Sequence, residues 1–225
     1  MSRDPEQMGH LVNPIFNVSY DAAISAIREA HQNIVTIAHL AIHQLNCHEE
    51  SWGAEAKRLR VDLGSFDEES IIGKTHERFV EVVNMAATME RFLDALSWFQ
   101  TEPRYRGLSV GECHPTTSDD KSGNDLVLVT EDGRIRVRCE VCDVVSQKAG
   151  QNGKEKKDLK NLGCESCVPT DEIDRFIVTS PEFAKALTAH TRKWKTKSYR
   201  YEDISANSSS GTHLLKLVGL TELVQ

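Results

Sequence analysis

Between Ile135 and Cys142, apolar Ile135, Val137, Cys139 and Val141 alternate with Arg136, Arg138, Glu140 and Cys142, and this run constrains the fold more than any other. A period of two sends successive side chains to opposite faces, so the segment is a strand with one buried face. Glu131-Asp132-Gly133 just before it supplies a turn, and Leu126–Val129 supplies the preceding apolar run. Leu126 to Val145 therefore reads as a β-hairpin.

Upstream the period is helical. From about Asp21 to Asn46, Ile24, Ile27, Ile34, Ala38, Ile42 and Leu45 fall on one face, and from about Glu69 to Gln100 so do Phe79, Val82, Val83, Ala86, Met89, Leu93 and Leu96. Two long helices are expected there. After Pro103 a short strand is expected near Leu108 to Val110. Downstream of the hairpin, Asn152 and Glu155 resemble a capping box for a short helix that carries Leu159 and Leu162 inward and stops at Gly163. Phe176 to Thr179 reads as a strand. Ser180-Pro181 supplies an N-cap and a first-turn proline for a helix to about Lys193, with Phe183, Leu187 and Trp194 along one face. Strands near Tyr199 to Tyr201 and His213 to Val218 close the chain. Polar stretches at Thr116 to Gly123, Gln147 to Gly153 and Ser205 to Gly211 are loops.

A chain of 225 residues is long enough to bury a real core. The expected class is α/β (α+β), with a mixed central sheet flanked by helices. Residues 1–66 form an N-terminal helical region packed on the core, and 67–225 form the α/β core with a C-terminal hairpin. No apolar run approaches the length of a membrane span, and Met1 to His10 lacks the charged-then-apolar order of a signal peptide, so a soluble cytoplasmic protein with no membrane partner is expected. Six irregularly placed cysteines do not resemble a secreted disulfide framework; reduced thiols or metal ligands are expected. The formal charge of -7 argues against a protein that coats nucleic acid nonspecifically, while leaving room for a local basic surface.

In the order helix, three-strand meander, helix, strand, two acids fall on neighbouring strands. Asp125 opens the second strand and Glu140 lies near the end of the third, on its polar face. Pairing through the turn brings both toward one end of the sheet. Two converging carboxylates suit a hard cation such as Mg²⁺ or Mn²⁺, which keeps water and phosphate among its ligands. Such an ion polarises a phosphoryl oxygen and lowers the pKa of a coordinated water, which implies phosphodiester hydrolysis. Taken alone, Asp125 could equally be a turn residue and Glu140 a solvated partner for Arg138 or Arg136.

Gly123-Asn124-Asp125 and Glu140-Val141-Cys142, within that order of elements over roughly Gly73 to Thr179, resemble the PD-(D/E)XK motif of the restriction-endonuclease-like superfamily. The resemblance implies a restriction-endonuclease-like core and a metal-dependent endonuclease, with DNA a more natural substrate than RNA and with defence against foreign DNA or repair as settings. It makes Asp125 and Glu140 the metal ligands and nominates Glu77, in Gly73-Lys74-Thr75-His76-Glu77-Arg78, as a third acid. Two positions depart from the motif: Asn124 replaces its proline and Cys142 its lysine. A thiol cannot orient the attacking water or offset charge on the phosphate as a cation does. Some members of the superfamily move the lysine to a neighbouring element; here Lys154, ahead of Lys156 and Lys157, opens the next helix. The alternative is an inactive relative that keeps the fold for binding nucleic acid or protein.

The cysteines offer a competing reading. Cys139-x-x-Cys142 and Cys164-x-x-Cys167, spaced just beyond the usual range, would hold a structural Zn²⁺ and make the chain a zinc-stabilised binding protein. Against it, Cys139 and Cys142 lie an odd number of positions apart in a strand and point to opposite faces. His39, His43 and Cys47 share one face of the first helix, where a polar helix edge is the simpler reading than a metal site. Cys113-His114 reads as a strand terminator near the acidic pair. Arg192, Lys193, Lys195, Lys197 and Arg200, interleaved with Trp194, Tyr199 and Tyr201, suit phosphate contacts with aromatic stacking. They equally suit a basic helix end whose aromatics pack inward. A homodimer or a protein partner stays open.

Overall fold

The computed structural model describes residues 14–46, 71–115, 124–142, 155–164, 168–169, 171–193, 199–204 and 211–219, with side chains described along these except at 33–34, 36–46, 71–85 and 190–193. In chain order the elements are β1 (Ile15–Val18), α1 (Tyr20–Asn46), α2 (Ile71–Thr101), β2 (Ser109–Cys113), β3 (Leu126–Val129), β4 (Ile135–Cys142), α3 (Glu155–Asn161), β5 (Asp174–Thr179), α4 (Pro181–Lys193), β6 (Tyr199–Asp203) and β7 (His213–Gly219). The strands form one mixed sheet in the order β1-β2-β3-β4-β5-β7-β6. All neighbours are antiparallel except β4 and β5, which run parallel and are joined through α3. A parallel pair needs such a crossover, and a short helix is its usual form.

α1 and α2 cover one face. Tyr20, Ala23, Ile24, Ile27 and Ala30 follow one stripe of α1, and Met89, Phe92, Leu96 and Phe99 one stripe of α2, so both helices bury the face their spacing dictates. They meet Val110, Cys113, Leu126, Leu128, Val137, Cys139, Val141, Phe176 and Val178 from the sheet. Ser19 caps α1, its Oγ accepting from the Ala22 amide at 3.3 Å, and Gln100 at the end of α2 donates to Asp21 at 2.8 Å. The aromatic rings of Trp98, Phe99, Tyr105 and Phe176 pack against one another at the centre of this core.

α3 and α4 cover part of the other face. Leu159 and Leu162 of α3 and Phe183, Ala184 and Leu187 of α4 pack with Cys142, Ile177, Tyr199, Tyr201, Leu215 and Leu217. α3 stops where expected: Gly163 has φ +73, and the Cys164 amide reaches back to the Leu159 carbonyl at 2.7 Å. Ser180 accepts from the Phe183 amide at 3.4 Å and starts α4.

Two features differ from expectation. The N-terminal part is not only helical: β1 pairs with β2 and extends the sheet, a four-residue strand too short to announce itself by periodicity. The strand expected near Leu108 to Val110 runs to Cys113 and carries an irregularity between Val110 and Glu112. Gly111 sits at that point, where a Cβ would come within 2.7 Å of Val129 Cγ1. The extra residue lets both Val110 and Cys113 face the first core, and it turns Glu112 and His114 to the opposite face.

Candidate functional site

The register of the hairpin sets the acidic pair. Leu126 lies opposite Cys139 and Val127 opposite Arg138, so the next position puts Asp125 across from Glu140. Leu126 and Cys139 point into the first core, so Asp125 and Glu140 both point to the other face. Asp125 ends the main-chain ladder: its Oδ2 accepts from the Val141 amide at 2.7 Å, and its carbonyl accepts from the His114 amide at 2.8 Å.

Glu140 is buried, at 2% exposure. Its Oε1 accepts from Asn124 Nδ2 and its Oε2 from Asn161 Nδ2, each at 3.1 Å. The Asn124 amide also donates to the Asn161 carbonyl at 3.0 Å, which ties the start of β3 to the end of α3. α3 is itself fastened to β5: Arg175 Nε donates to the Leu162 carbonyl at 2.8 Å, while its NH1 and NH2 grip Asp171 at 2.7 and 2.8 Å. Burial, with the nearby Asp125 charge, pushes the Glu140 carboxyl up to about 8; the two asparagine amides pull the other way, and Asp158 adds to the rise. Asp158, fully buried on α3, thus joins Asp125 and Glu140 in one acidic neighbourhood. Burial of this negative charge also reaches the thiols: Cys113 and Cys139 are held well above the usual range, by desolvation first and then by Asp125 and Glu140.

The other expected site residues fall as follows. Glu77 lies on α2 with its side chain outside the described residues, and Lys154 lies outside them altogether. Cys142 is buried in the second core, its Sγ 3.8 Å from Thr179 Oγ1, while Cys139 is buried in the first. A sheet separates the two sulfurs, so they do not meet at one ion. Cys164 is buried with Cys142, and Cys167 lies outside the described residues. Arg192 and Lys193 occupy the last turn of α4 with side chains outside the described residues, as Lys195, Lys197 and Trp194 are entirely. Arg200 is exposed on β6 at the far edge of the sheet, on the face opposite Glu140. Tyr199 and Tyr201 are not free for stacking: both are buried in the second core, and Tyr201 donates to Glu155 at 3.0 Å. Of His39, His43 and Cys47, the first two lie on α1 with side chains outside the described residues, and Cys47 lies beyond them.

Asp158, Asn161 and Glu112 near the pair escaped the sequence reading, in which His114 is only a strand terminator. Asp158 and Asn161 belong to the same inward stripe of α3 as Leu159 and Leu162; reading that stripe as half polar would have found them. Glu112 and His114 were hidden by the bulge at Gly111, which no alternation rule anticipates. Arg138, on the polar face two residues before Glu140, has its Nε buried without a hydrogen-bond partner among the described residues.

Two hard carboxylates are the kind of donor that suits Mg²⁺ or Mn²⁺ with water and phosphate completing the shell, although the asparagines beside Glu140 turn amide hydrogens, not oxygens, toward it. Among the described residues, no three of His, Cys, Asp and Glu are arranged to hold a metal by themselves. No helix among them is long and apolar enough to cross a membrane. No protein-family model, curated protein or solved structure matches the chain.

Proposed function

We propose that the chain is a metal-dependent nuclease with a restriction-endonuclease-like core, in which Asp125 and Glu140 hold Mg²⁺ or Mn²⁺ against a DNA phosphodiester. The observation that carries this reading is the forced juxtaposition of the two carboxylates across β3 and β4, with burial raising the proton affinity of Glu140. A fold tolerates such a buried like-charge pair at a cost, and clefts that shift pKa values this way are where acid–base and metal chemistry concentrate. A divalent ion bound there would polarise a phosphoryl oxygen and activate a water.

The residues present have defined tasks. Asp125 is held by the Val141 amide, which fixes its carboxylate at the start of β3. Asn124 and Asn161 fix both oxygens of Glu140, so its carboxylate loses little freedom when it takes a ligand. The cation that would stand at Cys142 must come from another element, with Lys154, outside the described residues, the first choice on sequence.

Cys142 also favours a second reading, an inactive protein that keeps the fold for binding. Incubation of plasmid and of single-stranded DNA in Mg²⁺ or Mn²⁺ separates the two. The nuclease shows cleavage that Asp125→Asn and Glu140→Gln each abolish; cleavage unchanged in both variants sinks the site. Metal binding has its own signature, because a ligand must be deprotonated. Mn²⁺ is expected to raise Tm more at pH 8 than at pH 5, and this difference is expected to vanish in Glu140→Gln.

A further inference from the structure

Glu112 and His114 share the face and the sheet end of the acidic pair, and they form a unit of their own. His114 Nε2 lies 2.6 Å from Glu112 Oε1, and the His114 ring meets the Phe16 ring edge-on at 5.9 Å. The His114 amide bonds the Asp125 carbonyl, so His114, Asp125 and Glu140 occupy successive positions in one row across β2, β3 and β4. Side chains opposite one another on adjacent strands stand about 5 Å apart. The row therefore places His114 next to Asp125, with Glu140 one strand further on.

We propose that His114 is the general base of this site, oriented by Glu112. A carboxylate on one ring nitrogen fixes the tautomer: Nε2 carries the hydrogen and donates it to Glu112, which leaves the lone pair on Nδ1. The side chain keeps 18% exposure and Glu112 37%, so water reaches the ring. Phe16, itself 53% exposed, holds one side of the ring without competing for a proton. In the step, the water oxygen forms a bond to phosphorus as the bond from phosphorus to the leaving oxygen breaks. The water proton passes to Nδ1, and the leaving oxygen takes a proton from solvent. The charge that develops on the ring is met by Glu112. This arrangement supplies from β2 the water-orienting function that Cys142, buried in the second core, cannot supply from β4.

The inference rests on the nuclease reading, and the experiment tells their failures apart. Cleavage kinetics are measured for the full chain and for His114→Gly, His114→Gln, Glu112→Gln and Asp125→Asn, with Mn²⁺ affinity measured on each by titration. Loss of a general base lowers kcat by about 10²–10⁴-fold. The expected result is that loss in both His114 variants with KM and Mn²⁺ affinity unchanged, a smaller loss in Glu112→Gln, and recovery of His114→Gly by added imidazole. An unaltered kcat in both His114 variants, or a fall in Mn²⁺ affinity with no recovery by imidazole, overturns the base while leaving the nuclease standing. No cleavage by the parent chain, or cleavage indifferent to Asp125→Asn, overturns both. A readout free of turnover is carbethoxylation of His114 followed by mass spectrometry: a bound DNA duplex with Ca²⁺ is expected to protect the ring, and full modification in its presence overturns the proposal.

Discussion

The two faces of β4 are built on opposite terms. Val137, Cys139 and Val141 enter a core that α1 and α2 close with aliphatic and aromatic groups, whereas Glu140 enters a pocket of amides and carboxylates and Cys142 a second, smaller core. One register serves both, because a strand slipped by one residue would exchange the faces and drive Glu140 among Phe99 and Phe176. The apolar face thus places the polar one. Hydrophobic packing has no direction of its own, but the alternation it enforces sets Asp125 across from Glu140 on one face.

The largest test of this division compares Phe176→Ala with Asp125→Asn. Phe176 is fully buried among Trp98, Phe99 and Tyr105, and truncating such a side chain costs about 3–5 kcal/mol. Asparagine keeps the volume of aspartate and an oxygen for the Val141 amide, so Asp125→Asn is expected to change stability by less than about 1 kcal/mol while abolishing cleavage. Urea unfolding of both proteins checks it. Equal destabilisation would make Asp125 a structural group and erase the difference between the faces.

Next in size is the pH dependence of stability. Glu140 carries a folded-state value raised from 4.5 to about 8. Between those values the unfolded chain has lost the proton and the folded chain keeps it, so folding binds a proton and stability falls as pH rises. Below about 4.5 both states are protonated and above about 8 both are ionised, so the contribution is flat outside the window. At about 1.4 kcal/mol per pH unit the fall reaches several kcal/mol. Glu140→Gln removes this slope, and the variant is expected to match the parent near pH 4 and to exceed it in stability at pH 8. Parallel pH profiles for the two proteins would place the titration elsewhere.

A third comparison uses one substitution twice. Cys139→Ser puts a hydroxyl in a fully buried apolar site and is expected to cost about 1–3 kcal/mol, the usual penalty for an unsatisfied polar group. Cys142→Ser is expected to cost less than about 1 kcal/mol, because Thr179 Oγ1 stands beside the sulfur and accepts or donates a bond. Thermal unfolding of the pair reads the difference directly.

Much of this architecture was legible in the sequence because it rests on local chemistry. The alternation of Ile135–Cys142, the turn at Gly133, the stop at Gly163 and the Ser180 cap are decided within a few residues, and each stands where expected. The facing of Asp125 and Glu140 followed from turn and period together. What stayed hidden depends on distant partners. The register shifts at Gly111, where Val129 leaves no room for a Cβ, so the direction of Glu112 and His114 could not be read from their own neighbours. Asn161 reaches Glu140 from a helix end that Asn124 and Arg175, both distant in sequence, hold in place. Tyr199 and Tyr201 look like stacking residues beside a basic run, yet the alternation of β6 turns both rings into the second core.

The smallest expected effect tests whether charge or burial gives the polar face its character. Arg136 lies on that face of β4 four residues from Glu140 and pairs with Glu172, but the two side chains are 36% and 86% exposed. Water screens such a pair, and holding two long side chains in one geometry costs entropy, so exposed ion pairs contribute about 0–1 kcal/mol. Arg136→Gln is therefore expected to shift stability by less than about 1 kcal/mol, with a difference from the parent that shrinks further in high salt. Urea unfolding at low and high ionic strength measures it. A loss as large as the pH effect of Glu140 would mean that charge alone, wherever it sits on the strand, governs this face. A small, salt-sensitive loss assigns the difference to the removal of water around Glu140.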